Sequence, residues 1–291
     1  MLNSKRRGSG ADDLRNIRLA VLKALFSEDV LRDDLVLKGG NALELVYQIA
    51  PRGSLDLDFS IERDFEDAAM IGTVIERALR RDFETLGIRV IDFKFEARPS
   101  TRRDLPDWWG GHRVEFKLLD AAVAESTSDI EAQRRRSMPV GANQERKFKI
   151  DISAHEHCGA KASVTIGHYS VFVYTLEMIV AEKLRAICQQ MPSYPNIRGS
   201  AKRARARDFY DIVEIDRTKR LNIDEGFVAL LRKVFQAKRV NIDALSDIAN
   251  VESFHEPDWS GVETSLGRSP GPFRDYFSNV LLLVDRILKM I

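Results

Sequence analysis

Two aspartates separated by one residue mark the part of the sequence most suited to chemistry. Asp56 and Asp58 lie in the extended segment 55–59, where alternate residues point to the same side of a strand. Their carboxylates therefore share one face and repel each other unless a cation lies between them. Mg²⁺ is the usual cation in such a site, because it binds one or two carboxylates together with substrate phosphates. The pair predicts a site for magnesium and phosphate.

A glycine turn comes before the aspartates and supplies a second element suited to phosphate. Lys38, Gly39 and Gly40 follow a short apolar run at 35–37 and open a helical repeat over 42–49. Backbone N–H groups at a helix start attract phosphate oxygens, because the helix provides them with no acceptor. The turn, the helix and the aspartates together predict a nucleotide site. The alternative interpretation is a plain turn beside a solvated strand edge.

The elements that would position these residues are mainly strands in the first half of the chain and helices in the second. Alternating apolar residues predict strands over 88–95, 113–119 and 147–153. Apolar stripes and end signals predict helices from Asp12, over 64–86, from Thr175, from 202–211, and over 224–239, 242–250 and 272–290. Residues 120–145 fit a helix or a mobile insertion. The change from strands to helices along the chain predicts a core domain at 1–170 and a mainly helical domain at 171–291.

Composition narrows the class of protein. The 291 residues are 44% hydrophobic and 31% charged, which is enough for a sizeable core. The formal net charge is +1, so any contact with RNA depends on local basic patches. Cys158 and Cys188 predict neither a metal site nor a disulfide framework, as expected in a reducing compartment. The sequence begins with no signal peptide and contains no bilayer-spanning run, so we expect a cytoplasmic protein without membrane contact.

The two motifs resemble those of a known family. KGGNAL at 38–43 and SLDLDFS at 54–60 are similar to motifs of the AbiEii/AbiGii toxins, within the DNA polymerase β-type nucleotidyltransferase superfamily. That family consists of bacterial toxins of toxin–antitoxin and phage-defence systems and includes the MenT-type tRNA-modifying toxins. The resemblance implies an α+β fold, in which a mixed-sheet nucleotidyltransferase core with flanking helices precedes a mostly helical C-terminal region. It also implies a cognate antitoxin as partner.

The resemblance assigns roles to residues of both motifs. It implies that Asp56 and Asp58 are catalytic metal ligands, and that Asp151, on the strand 147–153, is the third carboxylate and the base for the acceptor. An exposed strand aspartate is the alternative for Asp151. The expected nucleotide-binding residues are Lys38, Gly39, Gly40, Asn41, Ser54 and Lys183. The superfamily usually has Ser or Thr where this sequence has Asn41, whose amide can also donate to phosphate.

The helical half contributes two further residues by the same resemblance. Lys183 lies in a Lys-Leu-x-Ala frame that in the family meets the triphosphate, and Asp208 lies in a motif of a basic residue before Asp-x-x-Asp. Both are expected to be catalytic. The alternatives are a solvated helix face for Lys183, beside Glu182, and complementation of a helix dipole for Asp208 and Asp211. For Asp211 the dipole interpretation is preferred.

The expected activity is Mg²⁺-dependent transfer of a nucleoside monophosphate from an NTP to an RNA acceptor, by resemblance the tRNA 3′ end, which blocks translation. Basic residues at 134–136 and 202–207 could contact RNA, although such runs are more often solvated faces. One alternative is transfer to a protein or a small molecule. Another is a non-catalytic binding module of a defence system. The segment 254–259 fits a substrate-facing lid or plain packing.

Overall fold

A seven-stranded mixed sheet forms the centre of the molecule. The computed structural model describes residues 10–49, 56–100, 106–140, 144–195 and 202–291. The strands are β1 (Val36–Lys38), β2 (Leu57–Ser60), β3 (Ile88–Ala97), β4 (Gly111–Asp120), β5 (Phe148–Ser153), β6 (Ala162–Ile166) and β7 (Tyr169–Val173). Their spatial order is β3-β4-β5-β2-β1-β7-β6. Two of the pairings, β2 with β5 and β1 with β7, are parallel, and the rest are antiparallel.

The register of the four central strands places four charged residues in one line. Arg113 on β4 lies opposite Asp151 on β5, which lies opposite Asp58 on β2, which lies opposite Lys38 on β1. Residues directly opposite each other project from the same face of a sheet. We call this line the charged row. Its signs run positive, negative, negative, positive.

Apolar residues on the other face of these strands anchor the row. The neighbours in sequence of Asp58 and Asp151 are completely or almost completely buried: Leu57, Phe59, Ile150 and Ile152. A one-residue slip of either strand would turn these side chains out of the core and the aspartates into it, so the hydrophobic pattern fixes the register. The geometry of the charged row therefore follows from core packing.

Helices flank the sheet and make up the C-terminal part of the chain. The α-helices are α1 (Gly10–Phe26), α2 (Asp29–Arg32), α3 (Gly39–Asn41), α4 (Ala68–Glu84), α5 (Ala121–Glu125), α6 (Ile130–Arg136), α7 (Leu176–Cys188), α8 (Ala206–Arg217), α9 (Glu225–Ala237), α10 (Glu252–His255), α11 (Trp259–Leu266) and α12 (Phe273–Leu288). Short 3₁₀ segments lie at Ile242–Asn250 and Glu256–Asp258. The predicted α+β class is confirmed, while the division near residue 170 stays a prediction. Among the described helices, none is long and apolar enough to cross a membrane.

Several element boundaries differ from the predictions for local reasons. The helix expected over 64–86 begins at Ala68, because Asp67 caps it by accepting a hydrogen bond of 2.8 Å from the Met70 N–H. The helix expected to open with 202–211 begins at Ala206. The repeat after the glycine turn is helical, but its segment Ala42–Tyr47 is a π-helical turn. Of the two interpretations of residues 120–145, the helical one is correct for α5 and α6.

The sequence predictions missed the hairpin formed by β6 and β7. Ile166 pairs with Tyr169, so the strands are joined by the two-residue turn Gly167–His168. Gly167 has a φ of +64°, a conformation that glycine adopts without strain. Gly followed by a polar residue between two alternating segments is a recognised hairpin signal, and it could have located this element.

A buried arginine joins the first helix to the motif segment. Arg18 on α1 donates hydrogen bonds of 2.8 Å to Asn41 Oδ1 and of 2.6 Å to Glu44 Oε1. The Asn41 amide in turn donates to the Asp56 backbone oxygen at 2.6 Å. This chain of contacts fixes the helix after the glycine turn against the residue that starts the Asp-x-Asp segment.

We expect Arg18→Met to lower the free energy of unfolding by about 3 kcal/mol, because it leaves the Glu44 carboxylate and the Asn41 oxygen without their buried donor. Urea unfolding curves measure the change. Arg15→Met, an exposed change on the same helix, is the matched control and should stay within about 0.5 kcal/mol of the wild type. Equal stability of the two variants would contradict a positioning role for Arg18.

Candidate active site

A polar cleft lies at the Lys38 and Asp58 end of the charged row, where the sheet meets α7 and α8. It brings together residues that are far apart in sequence and that the family motifs assigned to one nucleotide site. The cleft is lined by Lys38, Gly39, Gly40, Asp58, Ser153, Glu182, Lys183, Ala186, Arg205, Arg207 and Asp208. The sheet and the two helices each supply both cations and carboxylates to this lining, and the glycine turn supplies backbone.

Gly39 makes the closest approach between the turn and the carboxylates. Its φ is +67°, and a Cβ at this position would lie 2.9 Å from Asp58 Oδ2. A side chain would therefore meet both backbone strain and a direct clash with a charged atom. Only glycine allows the turn to pass so close to Asp58.

The two aspartates of the Asp-x-Asp motif lie in an environment that disfavours their charge. Burial, together with the carboxylates of Asp151, Glu182 and Asp56, raises the pKa of Asp58 to about 7 despite the attraction of Lys38. Burial also raises the pKa of Asp56, although Lys149 is near. Asp56 Oδ1 is buried and accepts no hydrogen bond from the described part of the chain. A bound cation would relieve both conditions.

The donor set fits a hard divalent cation only in part. Asp56 and Asp58 offer carboxylate oxygens of the kind that Mg²⁺ prefers, and Asp56 Oδ1 has no competing partner among the described residues. Asp151 is held by Arg113, whose Nε and Nη2 donate to its two oxygens at 2.7 and 2.9 Å. Within the described ranges no three His, Cys, Asp or Glu side chains are already arranged around one ion position. The first two aspartates are thus the better candidates.

Lys38 does not extend freely into the cleft. Its ammonium donates to Glu182 Oε1 at 2.8 Å and to Ser153 Oγ at 3.2 Å, and Glu156 Oε1 lies 3.9 Å away. Burial alone would lower the pKa of Lys38, but the carboxylates of Glu182 and Glu156 raise it above its usual value. Lys38 is therefore a fixed cation at the cleft wall, and Glu182 is its first partner.

Lys183 is also buried and paired, which excludes the solvated-face interpretation. Its Nζ lies 2.8 Å from Asp208 Oδ1 and 2.6 Å from Asp211 Oδ2. Arg205 forms a further ion pair with Asp208. Burial opposes the ionisation of Asp208, but Arg205 and Lys183 outweigh it and hold its pKa well below the usual range. The structure brings Lys183 and Asp208 together, as their shared site requires.

The dipole interpretation of Asp211 was wrong. Its side chain is fully buried and binds the Lys183 ammonium, although it lies one turn further into α8 than Asp208. Residues three apart share a helix face, so the Asp-x-x-Asp spacing could have indicated that both carboxylates meet one cation.

Three of the predicted residues that the structure describes do not line the cleft: Asn41, Asp56 and Asp151. The Asn41 side chain is fully buried and occupied by Arg18 and the Asp56 backbone, and Asn41 does not line the cleft. Its role in nucleotide binding stays a prediction. Ser54 lies outside the described residues.

The segment 254–259 packs against the start of α8. His255 is fully buried, its Nδ1 accepts a hydrogen bond of 2.9 Å from the Arg205 N–H, and its ring lies 5.1 Å from that of Phe209. Burial lowers the pKa of His255 to about 4, so its ring is neutral at pH 7. This buried contact helps to fix the backbone of Arg205. It favours the packing interpretation of the segment over the substrate-facing lid.

The family comparison identifies the chain. A family model described as Nucleotidyl transferase AbiEii toxin, Type IV TA system, matches residues 20–279. The chain belongs to this AbiEii toxin family. The resemblance predicted from the two motifs is confirmed, and the match extends through the helices that carry Lys183 and Asp208. The chain is thus a nucleotidyltransferase toxin of the type IV toxin–antitoxin class.

Two solved structures are similar to this AbiEii family member at low sequence identity. JHP933 from Helicobacter pylori has 17% identity and a TM-score of 0.50, over 97% of this chain and 94% of that chain. MenT4, a nucleotidyltransferase toxin from Mycobacterium tuberculosis H37Rv, has 15% identity and a TM-score of 0.49, over 97% and 84% of the two chains. The likeness to JHP933 shows the fold alone. No curated protein matches the chain.

The raised pKa of Asp58 gives a stability prediction for the metal-free protein. Because its folded-state pKa is about 7 and its ordinary value 3.8, protonated Asp58 stabilises the fold below pH 4, and this contribution is lost as the pH rises to about 7. We expect Asp58→Asn to raise the free energy of unfolding by about 2–4 kcal/mol at pH 8 in EDTA and to change it little at pH 4. Urea titrations at the two pH values measure this. A variant less stable than the wild type at pH 8 would contradict it.

Proposed function

We propose that this toxin transfers a nucleoside monophosphate from an NTP to the 3′ end of tRNA, in a reaction that requires Mg²⁺. The observation that carries the proposal is the placement of Asp58, in register with Lys38 and Asp151, directly beside the Gly39 turn and within one cleft. A carboxylate pair next to a phosphate-binding turn suits a metal-bound triphosphate.

Asp56 and Asp58 would hold the metal ion, which when bound supplies charge to polarise the α-phosphate and to stabilise the pyrophosphate leaving group. The two carboxylates, which are both partly buried, would give the cation its ligands. Gly39 and Gly40 allow the phosphate chain to approach the backbone closely. These residues orient the triphosphate, and orientation with charge supplies most of the catalysis in phosphoryl transfer.

Asp151 would remove the proton of the acceptor hydroxyl. It does not line the cleft, but it lies beside Asp58 in the charged row and its side chain is about one-third exposed, which supports this role. Arg113 fixes the orientation of that carboxylate through two parallel hydrogen bonds. Both carboxylate oxygens of Asp151 accept from Arg113. For the acceptor hydroxyl to reach this carboxylate, one of the two oxygens must release its Arg113 hydrogen bond and turn towards the cleft. The arginine then steadies the remaining oxygen.

Lys183 would neutralise phosphate charge as a compact cation. Asp208 and Asp211 hold its ammonium at the cleft wall, which lowers the entropy lost when phosphate arrives. Lys38 faces the other side of the same cleft, so that the triphosphate would lie between two fixed cations.

An RNA acceptor is supported by free positive charge at the cleft mouth. Arg207 lines the cleft, is exposed, and forms no ion pair with another described residue. Arg203, four residues earlier in the sequence, is also exposed. By contrast, Arg134 in the other basic run is occupied by Asp92 and Glu131. The basic patch at 202–207 is thus the better contact for a phosphate backbone.

The biological role follows from the family and the acceptor. A nucleotide added to the tRNA 3′ end prevents aminoacylation and thereby blocks translation in the cytoplasm. The type IV toxin–antitoxin class supplies a cognate antitoxin as the partner that limits this activity.

The test is transfer from each of the four α-labelled NTPs to purified total tRNA with Mg²⁺. We expect label in tRNA from at least one NTP and a loss of about 10²-fold or more in Asp56→Asn, because one carboxylate ligand is removed. Asp247→Asn, an exposed aspartate outside the cleft, is the matched control and should retain wild-type transfer. Label that persists in Asp56→Asn would contradict the assignment of the metal site.

The same assay in mixed cell extract separates the alternative acceptors. Label that enters protein or a small molecule, and not RNA, would overturn the tRNA acceptor while retaining the nucleotidyltransferase. No transfer to any fraction would favour a non-catalytic binding module.

A further inference from the structure

A cluster of five charged side chains extends from the cleft wall into the interior. Two members line the cleft, and three lie behind it. The members are Lys38, Glu156, Glu182, Arg185 and Lys238. We call it the ion cluster. Three cations against two carboxylates leave it with one surplus positive charge, and all of its members except the partly exposed Glu182 are buried.

Glu156 is the centre of the ion cluster. Its Oε1 lies 3.9 Å from Lys38 Nζ and 3.5 Å from Lys238 Nζ, and its Oε2 lies 3.3 Å from Arg185 Nη2. One carboxylate therefore meets cations from β1, from α7 and from the end of α9. The attraction of Glu156 for each cation depends on the presence of the other two.

Lys238 is held firmly in the ion cluster and does not touch the cleft. Its Nζ donates to the Ala154 backbone oxygen at 2.6 Å and lies 5.6 Å from the Trp109 ring centre, and its backbone oxygen accepts from the Tyr194 hydroxyl at 3.0 Å. No motif of the sequence includes it. Burying a cation lowers the free energy of unfolding unless the cation is fully paired. Here Lys238 shares its nearest carboxylate with two other cations.

We propose that Lys238 is a positioning residue for the triphosphate: by sharing Glu156, it leaves the Lys38 ammonium directed at the cleft, and it supplies the surplus positive charge that favours a polyanion there. This inference rests on the proposed function. Without Lys238, Glu156 would attract Lys38 more strongly and draw it inward. The ion cluster would also become neutral, so an incoming triphosphate would gain less on binding.

The same contacts give a pH dependence. The charged groups that face Lys238 are Glu156, Arg185 and Lys38, of which the first favours its charge and the other two oppose it. Burial, with the two cations, lowers the pKa of Lys238 to about 8. Its positive charge is therefore present at pH 7 and lost as the pH rises past 8. Triphosphate affinity should weaken over that interval.

The experiment measures the dissociation constants of inorganic triphosphate and of the four ribonucleoside triphosphates by calorimetry, with Mg²⁺, on the full chain. At pH 7.5 we expect Lys238→Met to weaken binding about tenfold, because one nearby positive charge is lost. Lys238→Arg keeps the charge and should bind like the wild type. Lys233→Met removes an exposed charge from the same helix and should have no effect.

A second measurement does not depend on the folding of Lys238→Met. Between pH 7.5 and 9.5 the wild type should lose triphosphate affinity, while Lys238→Arg, whose guanidinium stays charged, should hold it nearly constant. Thermal unfolding of each variant accompanies the titrations. A merely structural lysine would not produce this difference in pH profile.

The outcomes separate the inference from the proposed function. If the wild type binds no triphosphate, the proposed function fails, and the inference fails with it. If the wild type binds but Lys238→Met binds equally well, or the wild-type affinity is constant up to pH 9.5, the role of Lys238 is overturned and the proposed function is retained.

Discussion

The charged row is the constraint on which the rest of the structure depends. Two carboxylates, Asp58 and Asp151, occupy adjacent positions on neighbouring parallel strands, and a cation flanks them on either side. Side chains directly opposite on adjacent strands are close enough that like charges destabilise the sheet. The outer cations, Lys38 and Arg113, compensate part of this repulsion. Burial, together with the remaining repulsion, raises the pKa of Asp58 to about 7.

The environment of the row explains why the two buried lysines of the cleft, Lys38 and Lys183, are themselves paired. A fully unpaired buried ammonium would bind phosphate strongly but would cost the fold several kcal/mol. The chain instead holds Lys38 with Glu182 and Lys183 with Asp208 and Asp211. Each ammonium has three N–H donors. It can therefore donate a hydrogen bond to a phosphate oxygen while it keeps its existing ion pairs.

The sequence predicted the parts of this arrangement that depend on local periodicity. Alternation along 55–59 and 147–153 predicted the strand faces on which Asp58 and Asp151 lie. The pairing of β2 with β5 then places these two residues opposite each other. Family motifs supplied Lys183 and Asp208. The site roles of these residues stay predictions. The convergence of Asp58, Lys183 and Asp208 on one cleft is a structural observation, and Asp151 lies beside Asp58 in the sheet without lining that cleft.

What the sequence could not predict depends on contacts between distant segments. Glu156 and Lys238 are separated by 82 positions, lie in no motif, and have ordinary neighbours in sequence. Glu182 looked like an exposed partner of Lys183 because polar residues adjacent on a helix usually indicate a solvated face. Only the packing of α7 against the sheet reveals that this face is covered. Buried ion pairs across elements leave no periodic signal in the chain.

The position of α7 links the two halves of the candidate site. Glu182 and Lys183 are consecutive, so their side chains leave the helix in directions about 100° apart. Glu182 contacts Lys38 on the sheet side, and Lys183 contacts Asp208 on the α8 side. A rotation of α7 that improved one of these contacts would worsen the other, and the ammonium groups of Lys38 and Lys183 would both move. The burial of α7 on nearly all sides, from Leu176 to Cys188, prevents such a rotation. The helices α7 and α8 thus contribute to the geometry of the cleft together with the sheet.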